Sequence, residues 1–364
     1  MIVASDPHGA EAAAKLALLR EALAQAGAGV VRLRGDDWFA WATAGGSPLT
    51  PAGIASGVAE LLVSADEACV LTDEVDAERL RQEEVPPGFT FHVAPWAEPE
   101  LHETYVLGAA GGRAILSDRP GQGEQALPAS LRLRRMVLDG AEQERYRALG
   151  RAAAEAVGEV LRAARPEWTE YELAGEGARA LLRRGIQPAL VLAAGERRLA
   201  QWRRPTPSHE PIGARATLSC CARRHGLVAR LSRSISFGAA PAQQDELLRL
   251  EATGLDAVRP GQSLAAVYHA FDAAYRHANR PDAIRERRQG GIAGYQACEL
   301  AASPSTATGL ETGMAFAFNP GFDGVGLEDT FLLGANGLEN LTLDPQWPAA
   351  NIGGRVRPLW LETQ

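Results

Sequence analysis

Seven arginines lie between positions 203 and 233, and six of them, Arg203, Arg204, Arg223, Arg224, Arg230 and Arg233, form the candidate cluster. A guanidinium offers a planar fork of donors that matches a carboxylate or a phosphate. One reading is a pocket for an anionic small molecule or a peptide C-terminus. The other is internal pairing, with Glu299, Glu328 and Asp329 as the counter-ions that make buried arginines tolerable. Positions 214–236 contain no Asp or Glu, and their one histidine is His225. Two further groups could act in catalysis. Cys298 beside Glu299 could be a nucleophile, given a base or a positive neighbour to form thiolate. His209, in a loop after Trp202, could move protons; as a surface histidine it would do nothing.

The elements that must hold these residues alternate in type. Residues Glu11 to Ala26 carry Lys15, Arg20 and Glu21 within apolar spacing and read as an amphipathic helix. Ala28 to Leu33 and Ala68 to Thr72 read as buried strands, and Asp36 to Trp41 as a strand with a polar start. Asp76 to Glu84 reads as a charged helix that Pro86 and Pro87 stop. Tyr105 to Gly108 and Arg113 to Leu116 read as two more strands. This is a three-layer α/β pattern. The segment Ser117 to Gly123 has the composition of a linker, with the boundary between about 118 and 138.

The second half opens with a long helix. Apolar residues recur at Leu149, Ala153, Val157, Val160, Leu161 and Ala164, a 3.6-residue period. Arg165-Pro166 ends it. Thr169 and Glu172 then form a capping box for a second helix. A helix from Gln243 to Val258 ends at Arg259-Pro260, and Ser263 caps the next. Arg-Pro-x-x-Thr/Ser thus occurs twice, each time between two helices. Ala189 to Ala193, Arg215 to Cys220 and Leu227 to Ser234 are strand-like, as are Met314 to Phe318 and Thr330 to Leu333. Two helix pairs with a strand-rich remainder suggest α+β with pseudo-twofold symmetry.

Composition narrows the class. The chain has 364 residues and a formal charge of −8, with 46% apolar residues. That length favours two domains, and the acidic balance disfavours nucleic acid. No apolar run approaches the ~20 residues of a membrane helix. The four cysteines, Cys69, Cys220, Cys221 and Cys298, include no C-x-x-C pair. That argues against structural zinc and for a reduced compartment. A cytoplasmic protein with no membrane partner is expected.

The ordered motifs resemble those of the creatinase/prolidase/aminopeptidase P family. Pro166 to Leu173 looks like the family's Pro-Gly-x-Thr-Glu-x-Glu-Leu helix start, and Arg259-Pro260-Gly261 like its second Pro-Gly turn. Asn319-Pro320-Gly321 stands where the family has Glu-Pro-Gly. Glu328-Asp329 stands at its Glu-Asp, and Leu341-Thr342 at its closing Leu-Thr. The resemblance covers roughly 140–345 and, more weakly, the first ~120 residues. It implies an α+β pita-bread domain over 126–364, preceded by a smaller three-layer α/β domain over 1–125. By analogy it also implies a homodimer.

The family's peptidases hold two divalent ions on Asp, Asp, His, Glu and Glu, and the ions activate a bridging water. By the resemblance those positions fall on Ser219, Arg230, Gly291, Asn319 and Glu328. One ligand of five remains, and a guanidinium replaces another. Both ions are therefore expected to be lost, leaving no metal or other cofactor. The expected ligand pocket comprises Arg203, Arg204, Ser219, Arg230, Gly291, Cys298, Asn319 and Glu328. The first functional expectation is a metal-free homologue that binds a peptide-like or anionic small ligand, without metal-dependent peptidase activity. The alternative is an active hydrolase of peptide or other C–N bonds, prolidase-like, aminopeptidase P-like or creatinase-like. Its catalytic candidates are His209, Cys298, Glu299 and Glu328.

Overall fold

The computed structural model describes residues 7–49 and 57–363. Two compact units emerge, one of residues 1–135 with 225–227, the other of residues 136–224 with 228–364.

The first unit is built on a six-stranded sheet. Its order is Thr90–Ala94, Ala68–Asp73, Ala59–Val63, Val30–Leu33, Ile115–Ser117 and Gln125–Ala126. The helix Pro7–Ala26 forms as its spacing requires, burying Ala12, Leu16, Leu19 and Leu23. The segment from Asp76 becomes a short helical stretch, Ala77–Arg79 followed by a π turn over Leu80–Glu84. Two expected strands are helices instead. Asp36–Ala42 is helical, with Asp36 and Asp37 in its first turn, where the free amides favour negative charge. Every residue from Asp37 to Ala42 is buried, so no polar face remains to print a helical period. Tyr105 to Gly108 lies inside the helix Glu100–Ala110, which buries Val106 and Ala110, one helical turn apart. Left-handed Gly111 caps it, at φ 57°.

The second unit carries the two helix pairs. Gly140–Ala163 buries Tyr146, Leu149, Ala153, Val157, Val160 and Leu161 along one stripe, and Asp139 with Glu142 caps it. Glu170–Leu182 starts at the capping box foreseen for Thr169: Thr169 Oγ1 accepts from the Glu172 amide at 3.1 Å, and Glu172 Oε2 accepts from the Thr169 amide at 2.6 Å. Gln244–Leu255 and Leu264–His277 form the second pair, with Ser263 Oγ capping the latter at 3.1 Å. Both Arg-Pro punctuation marks therefore precede a capped second helix.

Two sheets pack between the pairs. One runs Leu361–Thr363, Leu227–Phe237, Arg215–Arg224, Gln187–Gly195. The other runs Leu300–Ala301, Gly290–Ala293, Ala315–Phe318, Asp329–Gly334, Gly337–Asn340. They meet where the Ser232 amide donates to the Glu328 carbonyl at 2.9 Å. The core against the second pair is dominated by aromatic rings, with Phe271, Phe316, Phe318 and Phe331 fully buried.

Candidate functional site

Strand Arg215–Arg224 alternates strictly: Ala216, Leu218, Cys220 and Ala222 are buried, while Thr217, Ser219 and Cys221 take the other face. Period-2 geometry puts residues i and i+2 on one side. Its partner Gln187–Gly195 aligns Leu190 with Cys221, Leu192 with Ser219 and Ala194 with Thr217. On the other side, Ser219 Oγ lies 2.7 Å from Ser232 Oγ, and Thr217 Oγ1 lies 2.8 Å from Ser234 Oγ. The result is a sheet face graded from leucine through hydroxyls to Arg230 and Glu328. It floors a cleft of about 810 Å³, open mouth included. Leu190, Leu192, Leu199, Trp202, Val325 and Leu327 supply apolar walls, and Arg203, Arg204, Arg287 and Asn319 a polar one.

The floor centres on an ion pair. The Arg230 guanidinium contacts Glu328 Oε1, and each side chain is about one-eighth exposed, at 12%. Arg230 Nη1 also donates to the Ala297 carbonyl at 3.1 Å, and Ser232 Oγ to Glu328 Oε2 at 3.3 Å. Thr330 Oγ1 braces the Arg230 backbone on both sides, accepting from its amide at 2.8 Å and donating to its carbonyl at 2.9 Å. Burial works against the Arg230 charge, but the Glu328 carboxylate more than offsets it, so its pKa lies above the ordinary arginine value. Burial, with Glu328 adding repulsion, pushes the neighbouring Cys221 thiol up to about 11. At neutral pH that sulfur is a thiol, not a nucleophilic thiolate.

The sequence candidates divide cleanly. Arg203, Arg204, Ser219, Arg230, Asn319 and Glu328 line one cleft. Gly291 does not: it sits in the buried strand Gly290–Ala293, flanked by Ala301 and Ala317. A Cβ there would lie 2.1 Å from the Leu300 carbonyl oxygen and 2.9 Å from Ala301 Cα, so position 291 has no room for a side chain. Cys298 also lies outside the lining; it is half-buried, and burial raises its pKa. Glu299 turns back on its own loop, accepting from the Gln296 amide at 3.0 Å. His209 is exposed, packed edge-on against the Tyr171 ring at 4.9 Å. Of the four catalytic candidates, Glu328 alone reaches the cleft.

Arg233 points to the opposite face of its strand. Its Nη2 donates to Asp329 Oδ1 at 2.8 Å, and Arg357 Nη2 donates to Asp329 Oδ2 at 2.8 Å. Arg357 is in turn held bidentately by Glu251 at 2.6 and 2.7 Å. Two guanidinium groups and two carboxylates balance in the interior, and Thr342 Oγ1 donates to Asp329 at 2.6 Å. Internal pairing is thus the outcome for Arg230 with Glu328 and for Arg233 with Asp329; Arg203 contacts Glu286, at the cleft edge.

Two arginines escaped sequence reasoning. Arg357 belongs to the buried network. Arg287 lines the cleft, donating to the carbonyls of Asn319 at 2.9 Å and Arg203 at 3.3 Å. Its signal was faint: it stands in the run Arg285-Glu286-Arg287-Arg288, which reads as a solvated charge run. The Asn319 side-chain amide abuts the carbonyls of Arg288 and Gln289, and with its nitrogen turned toward them it donates to both, at 2.6 and 3.2 Å.

As a donor set for metal, the cleft offers a single carboxylate, already neutralised by a guanidinium, with hydroxyls, thiols and one amide. Among the described residues, no three His, Cys, Asp or Glu side chains of the cleft could share an ion.

Comparison with known proteins agrees with this fold. The model of metallopeptidase family M24 matches residues 144–335. No curated protein sequence matches. Among solved structures, a Xaa-Pro dipeptidase from Bacillus anthracis superposes with a TM-score of 0.77 at 18% identity, covering 97% of this chain and 100% of its own. A prolidase from Pyrococcus horikoshii gives 0.76 at 18%, covering 91% and 98%. The N-terminal domain of FACT complex subunit SPT16 from Cicer arietinum gives 0.68 at 14%, covering 92% and 96%. The fold is the α+β pita-bread fold, and the chain belongs to metallopeptidase family M24, the creatinase/prolidase/aminopeptidase P group.

Proposed function

We propose that this protein is a metal-free member of its family that binds a peptide-like or anionic small ligand in the cleft and does not hydrolyse peptides through a metal pair. The observation that carries this reading is the Arg230–Glu328 ion pair. A guanidinium within ion-pair distance of the one lining carboxylate occupies the electrostatic place of a cation. Two like unit charges ~4 Å apart repel by roughly 4 kcal/mol at an effective dielectric of 20, and a dication would feel about twice that. The donors present do not fit two divalent ions.

The hydrolase alternative needs a nucleophile or a proton-moving group beside the substrate. Geometry supports none: His209, Cys298 and Glu299 lie outside the cleft, and the Cys221 thiol is held protonated. The test is hydrolysis of Xaa-Pro dipeptides with manganese, cobalt or zinc supplied. The reading requires no turnover above the buffer rate. Metal-dependent turnover that survives repurification and vanishes on chelation would refute it.

A further inference from the structure

Four arginines and one glutamate line the cleft: Arg203, Arg204, Arg230, Arg287 and Glu328. Arg230 uses Glu328, and Arg203 uses Glu286. Arg287 is left with two backbone carbonyls, and its Nε has no hydrogen-bond partner. Among the described residues it makes no ion pair. Burial pushes its pKa below the ordinary arginine value; the charges of Arg203 and Arg204 add to this, and Tyr275 and Glu328 oppose it without cancelling it. A desolvated cation without a counter-ion is costly to fold.

The surroundings are shaped to keep that guanidinium in place. The short hairpin Gly321–Phe322 and Val325–Gly326 pairs Gly321 with Gly326. A Cβ on Gly321 would lie 3.0 Å from Arg287 Nη1, and one on Gly326 3.4 Å away, so two glycines leave the bed on which the fork rests. Arg204 stands exposed at the mouth. Facing them are the leucine and valine walls.

We propose that Arg287, assisted by Arg204, is the seat for the carboxylate of an organic monoacid whose apolar body lies against Leu190, Leu192, Leu199 and Val325. The ligand supplies the counter-ion that the fold withholds. Phosphate is disfavoured, because the leucine and valine walls beside Arg287 and Arg204 would leave its remaining oxygens unsolvated. A peptide C-terminus and a free apolar acid share this chemistry. The inference rests on the metal-free reading of the same cleft and adds the ligand class.

The test is calorimetric titration of the full chain with N-acetyl-leucine, N-acetylleucinamide, 4-phenylbutyrate and inorganic phosphate. At least one acid should bind, and where it is N-acetyl-leucine the amide should bind about 10–100-fold more weakly, the range of one or two charge-assisted hydrogen bonds. Preference for N-acetyl-leucine points to a peptide end, preference for 4-phenylbutyrate to a free acid. Arg287→Met should abolish the acid's advantage yet raise the melting temperature of the ligand-free protein by about 2–4 °C, since an unpaired cation has been removed. A merely structural arginine would lower it. Arg204→Gln, at the exposed mouth, should weaken the acid without altering the fold. Equal binding of acid and amide, tightest binding of phosphate, or no binding of any probe would each overturn the seat. Metal counted on the same sample separates the two claims: two ions per chain defeats the metal-free reading, whereas no ions and no acid preference defeats the seat alone.

Discussion

At the scale of single residues, the cleft is set by pairing. Arg230 and Glu328 are each tolerable because the other is present, and Ala297 and Ser232 add one hydrogen bond to each. Removing one partner strands the other. Arg230→Met should cost ~3 kcal/mol in chemical denaturation, and the double variant Arg230→Met with Glu328→Leu should regain most of it. A double-mutant cycle with no coupling between the two positions would remove the ion pair as the organising feature. That Ser219, Arg230, Asn319 and Glu328 belong to one site was legible in the sequence because flanking motifs fixed their register. Whether an arginine fills the floor or lines the wall was not. Residues 230 and 233 lie three apart on a strand, so they must face opposite ways, and which one met the cleft depended on Glu328 and Asp329 facing them from another sheet.

At the scale of elements, two features deserve different tests. Thr169 closes the capping box of Glu170–Leu182, and Thr169→Ala should lose ~1 kcal/mol of stability. Strand Gly290–Ala293 has closed around position 291, leaving 2.1 Å to the Leu300 carbonyl. Gly291→His should therefore destabilise the protein by at least ~2 kcal/mol, the scale of overpacking, instead of restoring a metal ligand. A soluble variant of unchanged melting temperature would show that the strand still has room. The four long helices of the second unit were readable, since each buries an apolar stripe and three of them carry a side-chain cap. Asp36–Ala42 and Glu100–Ala110 were not: the first is buried all round, and the second exposes Leu107 at 64%, which blurs its apolar face. Short strands such as Thr90–Ala94 and Ala59–Val63 also passed unseen, because tertiary pairing and not local pattern defines them.

At the scale of the whole molecule, the family's fold is kept at low sequence identity. The fold superposes on solved peptidases at 16–20% identity, since packing tolerates substitutions that keep volume and pattern. The buried Glu251–Arg357–Asp329–Arg233 network ties together elements of the second unit. Burial alone would raise the Asp329 carboxyl, but Arg233 and Arg357 hold it below the ordinary aspartate value. A folded-state pKa below the unfolded one means the unfolded chain binds more protons on acidification. Its stabilisation is thus full above ~pH 5 and is lost as pH falls through ~4 and then through the lower folded value. Stability measured between pH 6 and pH 3 should fall more steeply for the wild type than for Asp329→Asn. Parallel slopes would take Asp329 out of the acid response.

The central claim is that one chain of this family has exchanged a metal pair for an internal ion pair. Its most direct test is metal analysis of the purified full chain after incubation with manganese, cobalt and zinc and removal of free ions. The account predicts well under one ion per chain and no rise in melting temperature. Two tightly held ions per chain would contradict it and return this cleft to metal-dependent chemistry.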